Sequence, residues 1–215
     1  MKKHIKKIIG IVGVSLLLMQ VFYVYSIEPR VAVAATATDN VIVTLTVDSG
    51  ISITTPSDVT MAPNISMSAN GSIGSATWNV KTNHATGYTL AVKASASPAL
   101  VSGSNSFADY TEAVNATPDV WSVPSGSKEF GYSAFGTDTS TTTWGTGASC
   151  GSAGAPTGTA KYAGFETTDL TIATRNTVTT PSGIDTTLCL AAEQDTIYAA
   201  SGVYTATITA TATEI

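Results

Sequence analysis

Residues 203–213 alternate with a strict period of two. Tyr204, Ala206, Ile208, Ala210 and Ala212 fall on one side, and Thr205, Thr207, Thr209, Thr211 and Thr213 on the other. Successive residues of a strand point to opposite faces, so this pattern sorts itself into a dry and a wet side only in an extended chain. The same grammar recurs upstream. In residues 40–47, Val41, Val43, Leu45 and Val47 oppose Ile42, Thr44 and Thr46. Residues 76–81 and 88–93 alternate on either side of a loop over 83–87 that ends in Gly87. That spacing predicts a hairpin burying Trp78, Val80, Tyr88, Leu90 and Val92 on one face, with Asn79, Lys81, Thr89 and Lys93 turned outward.

Further strands are predicted over residues 51–53, 59–67, 120–123, 129–135, 160–165, 170–175 and 186–192, with Pro56 and Pro63 marking edges or turns. Two stretches, 94–117 and 136–158, are rich in Ser, Thr, Ala, Asn and Gly and are read as long loops. No segment after residue 40 carries a helical period. About ten short strands at this spacing specify an all-β fold, an antiparallel β-sandwich over residues 36–215.

The first 35 residues follow different rules. Lys2, Lys3, Lys6 and Lys7 precede an uncharged, mostly apolar run over residues 8–27, and Val31-Ala32-Val33-Ala34-Ala35 supplies the small residues that a signal peptidase requires. Cleavage is expected after Ala34 or Ala35, with Ala37 as a further site. The apolar run is also long enough to span a bilayer as an uncleaved anchor, so contact with a membrane is expected only through this leader.

Without the leader, residues 36–215 keep five basic residues against 14 acidic ones, a net charge of −9. Nucleic acid and anionic lipid are poor partners for such a surface. Charged residues make up only 12% of the chain, so hydroxyls and backbone must cover much of its exterior. Cys150 and Cys189 are the only cysteines, and both lie in the exported part. They are expected to form one disulfide, closing a loop of about 40 residues that contributes roughly 3–4 kcal/mol. Two cysteines and His84 fall short of a zinc site.

Catalytic and binding motifs are sparse. Gly147-Ala148-Ser149-Cys150-Gly151 fits the G-x-S-x-G pattern, but that chemistry needs the serine on a strand-to-helix turn together with a histidine base and an acid. Ser149 lies in a predicted loop with no helix behind it, and His84 is the sole base candidate after the leader. Asn64, Asn70 and Asn115 open sequons that chance explains in a chain so rich in Ser and Thr. Asp109, Glu112, Glu166 and Asp169 are scattered and match no calcium loop. The threonine row of residues 205–213 evokes an ice-binding face, yet Thr is a natural choice for the wet side of any strand. No cofactor, metal site or catalytic residue is expected.

Gly87-Tyr88-Thr89-Leu90-Ala91-Val92, preceded by Trp78-Asn79-Val80 in an exported, Thr-rich β context, resembles the WxL-domain surface proteins of Gram-positive bacteria. The resemblance implies a β-rich domain that associates non-covalently with the cell wall. Trp78, Tyr88 and Trp144 are the aromatic candidates, either as core anchors or as a binding surface. The expected function is that of a non-enzymatic, secreted or cell-surface structural or binding protein. A cell-wall polymer, another surface protein or a second copy of the chain are the partners to consider. A pilin-like subunit, in which residues 41–47 complete a neighbour's sheet, is the alternative, and a secreted hydrolase is a third. The self-complete form is expected, with residues 41–47 paired inside their own sheet, for instance to residues 203–213.

Overall fold

The computed structural model describes residues 12–23, 36–114 and 116–215. The chain divides into two units, residues 1–46 and residues 47–215. In the first, residues 12–23 form a helix with exposed side chains, and among the described residues no helix is long and apolar enough to cross a membrane. The cationic start and the small-residue site at 31–35 lie outside the described residues.

The strand expected over residues 41–47 does not form. Residues 36–50 carry neither helix nor strand and are exposed, with Val41 at 87%, Ile42 at 91%, Val43 at 85% and Leu45 at 84%. Alternation gives a segment two different faces, but a strand also needs a neighbour for its backbone N–H and C=O groups. The expectation of a self-complete sheet is corrected accordingly.

The described residues of 47–215 form eleven strands. These are β1 (Ile51–Ile53), β2 (Gly71–Thr82), β3 (Tyr88–Ala94), β4 (Leu100–Ser102), β5 (Asn105–Asp109), β6 (Asp119–Val120), β7 (Lys128–Gly136), β8 (Lys161–Gly164), β9 (Leu170–Arg175), β10 (Ile184–Gln194) and β11 (Ile208–Glu214). Eight of them make a large sheet of order β1-β2-β10-β7-β5-β4, with β8 beside β7 and β6 beside β8; the other three make a small sheet, β11-β3-β9. Every ladder is antiparallel except the short β5–β7 pairing.

The two segments expected to form a hairpin bury the expected residues but do not pair. Trp78, Val80, Tyr88, Leu90 and Val92 are 7%, 0%, 0%, 0% and 1% exposed. β2 is paired on both sides within the large sheet, by β1 and β10, and β3 on both sides within the small one, by β11 and β9. The loop over 83–87 is thus a corner that carries the chain from sheet to sheet. Gly87, at φ +83°, closes it where an added Cβ would strike the backbone carbonyl of Arg175.

Between the sheets Trp78, Val80, Tyr88, Leu90, Val92, Phe130, Tyr132, Trp144, Phe165, Ile172 and Leu188 form the main core. Phe165 stacks on Phe130 at a ring separation of 5.2 Å and packs tilted against Tyr132 at 4.4 Å. A second, smaller cluster contains Tyr110, Ala160, Tyr162 and Ala191 with Ile73 and Trp121 packed on it, and Trp121 stacks on Tyr110 at 4.6 Å. Alternate residues of β10 serve the two clusters, Leu188, Leu190 and Ala192 on one side and Ala191 on the other. The small Gly131 of β7 lets Tyr110 and Ala163 approach its backbone closely.

Both predicted loops contain structure. Residues 94–117 include the β4–β5 pair, turned at Gly103 with φ +60°. Residues 136–158 include a single helical turn, Thr141–Trp144, whose N-cap Ser140 accepts a hydrogen bond from the Thr143 amide. Cys150 and Cys189 are joined as expected, with Cα atoms 5.1 Å apart. The bond fixes the second loop to β10, where Cys189 is 1% exposed. Replacing both cysteines by alanine should lower the unfolding free energy by roughly 3–4 kcal/mol. Urea denaturation of the oxidised wild type and the double variant checks this, and an unchanged midpoint contradicts it.

Candidate functional site

An edge strand exposes a row of backbone donors and acceptors, and natural sheets blunt such rows with charge, proline, bulges or a covering segment. The large and small sheets treat their edges differently. β1 and β4, at the ends of the main path of the large sheet, are three residues each. β9, one edge of the small sheet, has a register shift in its ladder with β3 and is held near its end by the Thr174 amide donating to the Asp138 carbonyl at 3.0 Å. β11, the opposite edge, has seven residues, Ile-Thr-Ala-Thr-Ala-Thr-Glu, with no proline and its single charge at the last position. It pairs with β3 along its whole length and, among the described residues, forms no second ladder, although β1 lies against it.

The inward face of β11 is incompletely covered. Ile208, Ala210 and Ala212 pack against the core yet remain half-buried, in contrast to Tyr88, Leu90 and Val92 of the adjacent β3. Ile51 and Ile53 of β1, which lies against β11, are half-buried too. Both ends of the C-terminal segment are fixed. Thr205 exchanges backbone bonds with Val101 at 2.9 and 3.1 Å, and the Glu214 carboxylate accepts from the Thr82 and Ser49 hydroxyls at 3.3 Å each. A rigid, hydrogen-bond-competent edge beside a partly dry strip can accept a further strand.

The aromatic candidates prove to be core anchors. Trp78 and Trp144 are 7% and 2% exposed, and Trp144 packs on Tyr132 at 5.4 Å. Tyr88 is fully buried and donates its hydroxyl to Asp138 Oδ2 at 2.8 Å, while Arg175 pairs with Asp138 Oδ1 at 3.2 Å. Burial, followed by the bond to Asp138, pushes the Tyr88 phenol well above its ordinary range. Sequence reading missed Asp138, because its partners lie 50 and 37 positions away and no local pattern links them.

Ser149 is exposed in a segment with neither strand nor helix, so the elbow geometry is missing there. His84 sits in the corner between the sheets, its Nδ1 2.9 Å from the Thr86 hydroxyl.

The smaller cluster gathers carboxylates around its aromatic rings. Tyr110 donates to Asp119 Oδ1 at 2.6 Å, Trp121 Nε1 to Glu193 Oε2 at 2.7 Å, and the Gly164 amide to Glu112 Oε1 at 3.0 Å. Burial pushes the Tyr162 phenol up to about 12. These acids brace loops onto the sheet, and among the described residues no three potential ligands converge to hold a metal ion. Glu129 is 5% exposed, has one oxygen without a hydrogen-bond partner, and faces Glu193 directly across the β7–β10 ladder. No family model, curated protein or solved structure matches the chain.

Burial raises the Glu129 pKa above its ordinary 4.5, against a hydrogen bond from the Thr111 backbone and with a smaller push from Asp119 and Glu112. The folded state therefore binds this proton more tightly than the unfolded chain. The stability from Glu129 is complete below pH 4.5 and is lost as pH rises through the folded-state value. Glu129→Gln should flatten the fall in stability on that rising limb, as measured by denaturation at a series of pH values. A variant with the wild-type profile there contradicts the assignment.

Proposed function

We propose that this chain is an exported, non-enzymatic structural protein of the bacterial cell surface, associated with the wall. The observation that carries this reading is the Cys150–Cys189 bond: the only two cysteines are joined, and the bond ties a long loop to the buried centre of the large sheet. Such a bond forms and persists in an oxidising compartment. The leader pattern and a surface poor in charge agree with export, and the WxL-like elements around Trp78 and Tyr88 point to the wall.

Because Trp78, Tyr88 and Trp144 are buried, wall contact falls to exposed side chains rather than to these aromatics. A second reading, a pilin-like subunit that joins its neighbours by strand addition, is favoured by one specific observation. The chain holds both an exposed apolar segment at residues 41–47 and an unpaired edge at β11.

Expressing the full chain with its leader in a Gram-positive host and fractionating the cells tests the location. The protein is expected in the wall fraction, released by denaturant without digestion of the wall, with no thiol reactive before reduction. Recovery in the cytoplasm with two reactive thiols contradicts the proposal.

A further inference from the structure

We propose that residues 41–47 of one molecule add as a strand, in a second copy, to the edge of β11 that forms no ladder, beside β1, so that the small sheet gains its fourth strand from a neighbour. The inference rests on the surface-protein reading and names that protein's partner. Donor and acceptor match in length, period and charge. The donor is Val-Ile-Val-Thr-Leu-Thr-Val, seven residues without charge or proline, with Val41, Val43, Leu45 and Val47 on one face. The acceptor is also seven residues, with Ile208, Ala210 and Ala212 half-buried on its inward face.

A short segment of this composition is strongly prone to pair, and an unguarded edge is its natural template. Leaving Val41, Ile42, Val43, Leu45 and Val47 between 74% and 91% exposed is unfavourable for a single molecule in water. Charge restricts where two copies can meet, since two domains of net charge −9 repel each other. The donor segment is uncharged, and β11 is uncharged apart from its last residue.

The residues that follow the donor are anchored in the folded domain. The Asn83 side chain donates to the Asp48 carbonyl at 2.8 Å and accepts from the Gly50 amide at 2.7 Å, and Ser49 bonds to Glu214. Asp48 and Ser49, which follow the donor in the chain, are thereby tied to Asn83 and to Glu214, the last residue of β11. Each copy carries one donor and one acceptor, so the contact is heterologous and repeats from copy to copy, giving chains unless it closes into a ring.

Size-exclusion chromatography with light scattering on the full exported chain tests the proposal. Wild type should form a concentration-dependent series of multimers, and Leu45→Asp, a change at an exposed position, should remain a monomer with its disulfide and near-ultraviolet dichroism intact. A mixture of Thr44→Cys and Thr211→Cys should cross-link between the two variants on oxidation, and L45D placed in the Thr44→Cys chain should abolish that product.

Three results overturn the proposal. They are a wild type that stays monomeric at every concentration, L45D multimers equal to those of wild type, and cross-linking of a Thr44→Cys/Thr211→Cys double variant within a single chain. A monomer recovered from the wall sinks strand exchange and leaves the location standing. Multimers from a cytoplasmic protein do the reverse.

Discussion

The fold depends on the pairing of β10. This strand is bonded to β2 from Ile184 to Glu193 and to β7 from Thr186 to Gln194, so nearly all of its backbone groups are satisfied by neighbours. Its side chains are buried on both faces, Leu188 and Leu190 towards the small sheet and Ala191 towards the outer aromatic cluster. Cys189 adds the covalent tie to the loop that carries Trp144. Loss of β10 would separate β2 from β7 and uncover both cores together.

From β10 outward, order and closure decline. The inner residues of β3 are at most 2% exposed, whereas those of β11 and β1 are half-buried and those of residues 41–47 are exposed. The chain thus concentrates its unsatisfied pairing capacity at one edge and one terminal segment. The proposed strand exchange draws on this reserve, because an edge closed within one molecule has nothing left for the next. The buried aromatics contribute rigidity to this arrangement: Tyr88 ties β3 to Asp138, and Asp138 ties Arg175 of β9 to the same loop.

Period-two patterning made the strand content and the buried faces legible. The alternation of Trp78 with Val80 and of Tyr88, Leu90 and Val92 identified core positions, and residues 170–175 coincide with β9. Pairing was not legible, because alternation records which side of a strand is dry and not which strand lies beside it. A corner over 83–87 and a hairpin loop look alike in sequence, so β2 and β3 were expected as partners although they belong to different sheets. The single turn Thr141–Trp144 is too short to show a helical period, and β4 and β5 are hidden in a stretch rich in Ser, Ala and Asn. Residues 41–47 read as a strand for a sound local reason, yet they have no strand partner within the described residues. The Cys150–Cys189 bond was legible because no other cysteine competes.

Hydrogen exchange on residues 36–215, followed by mass spectrometry in dilute and concentrated solution, tests the central claim most directly. The amides of β10 should be the slowest to exchange under both conditions. On concentration, protection should appear in residues 41–47 and at the outward amides of β11 and nowhere else. Protection of residues 41–47 already complete in the dilute monomer, or gained on concentration at surfaces that leave β11 unchanged, would contradict an account in which one molecule's free edge is closed by the next molecule's strand.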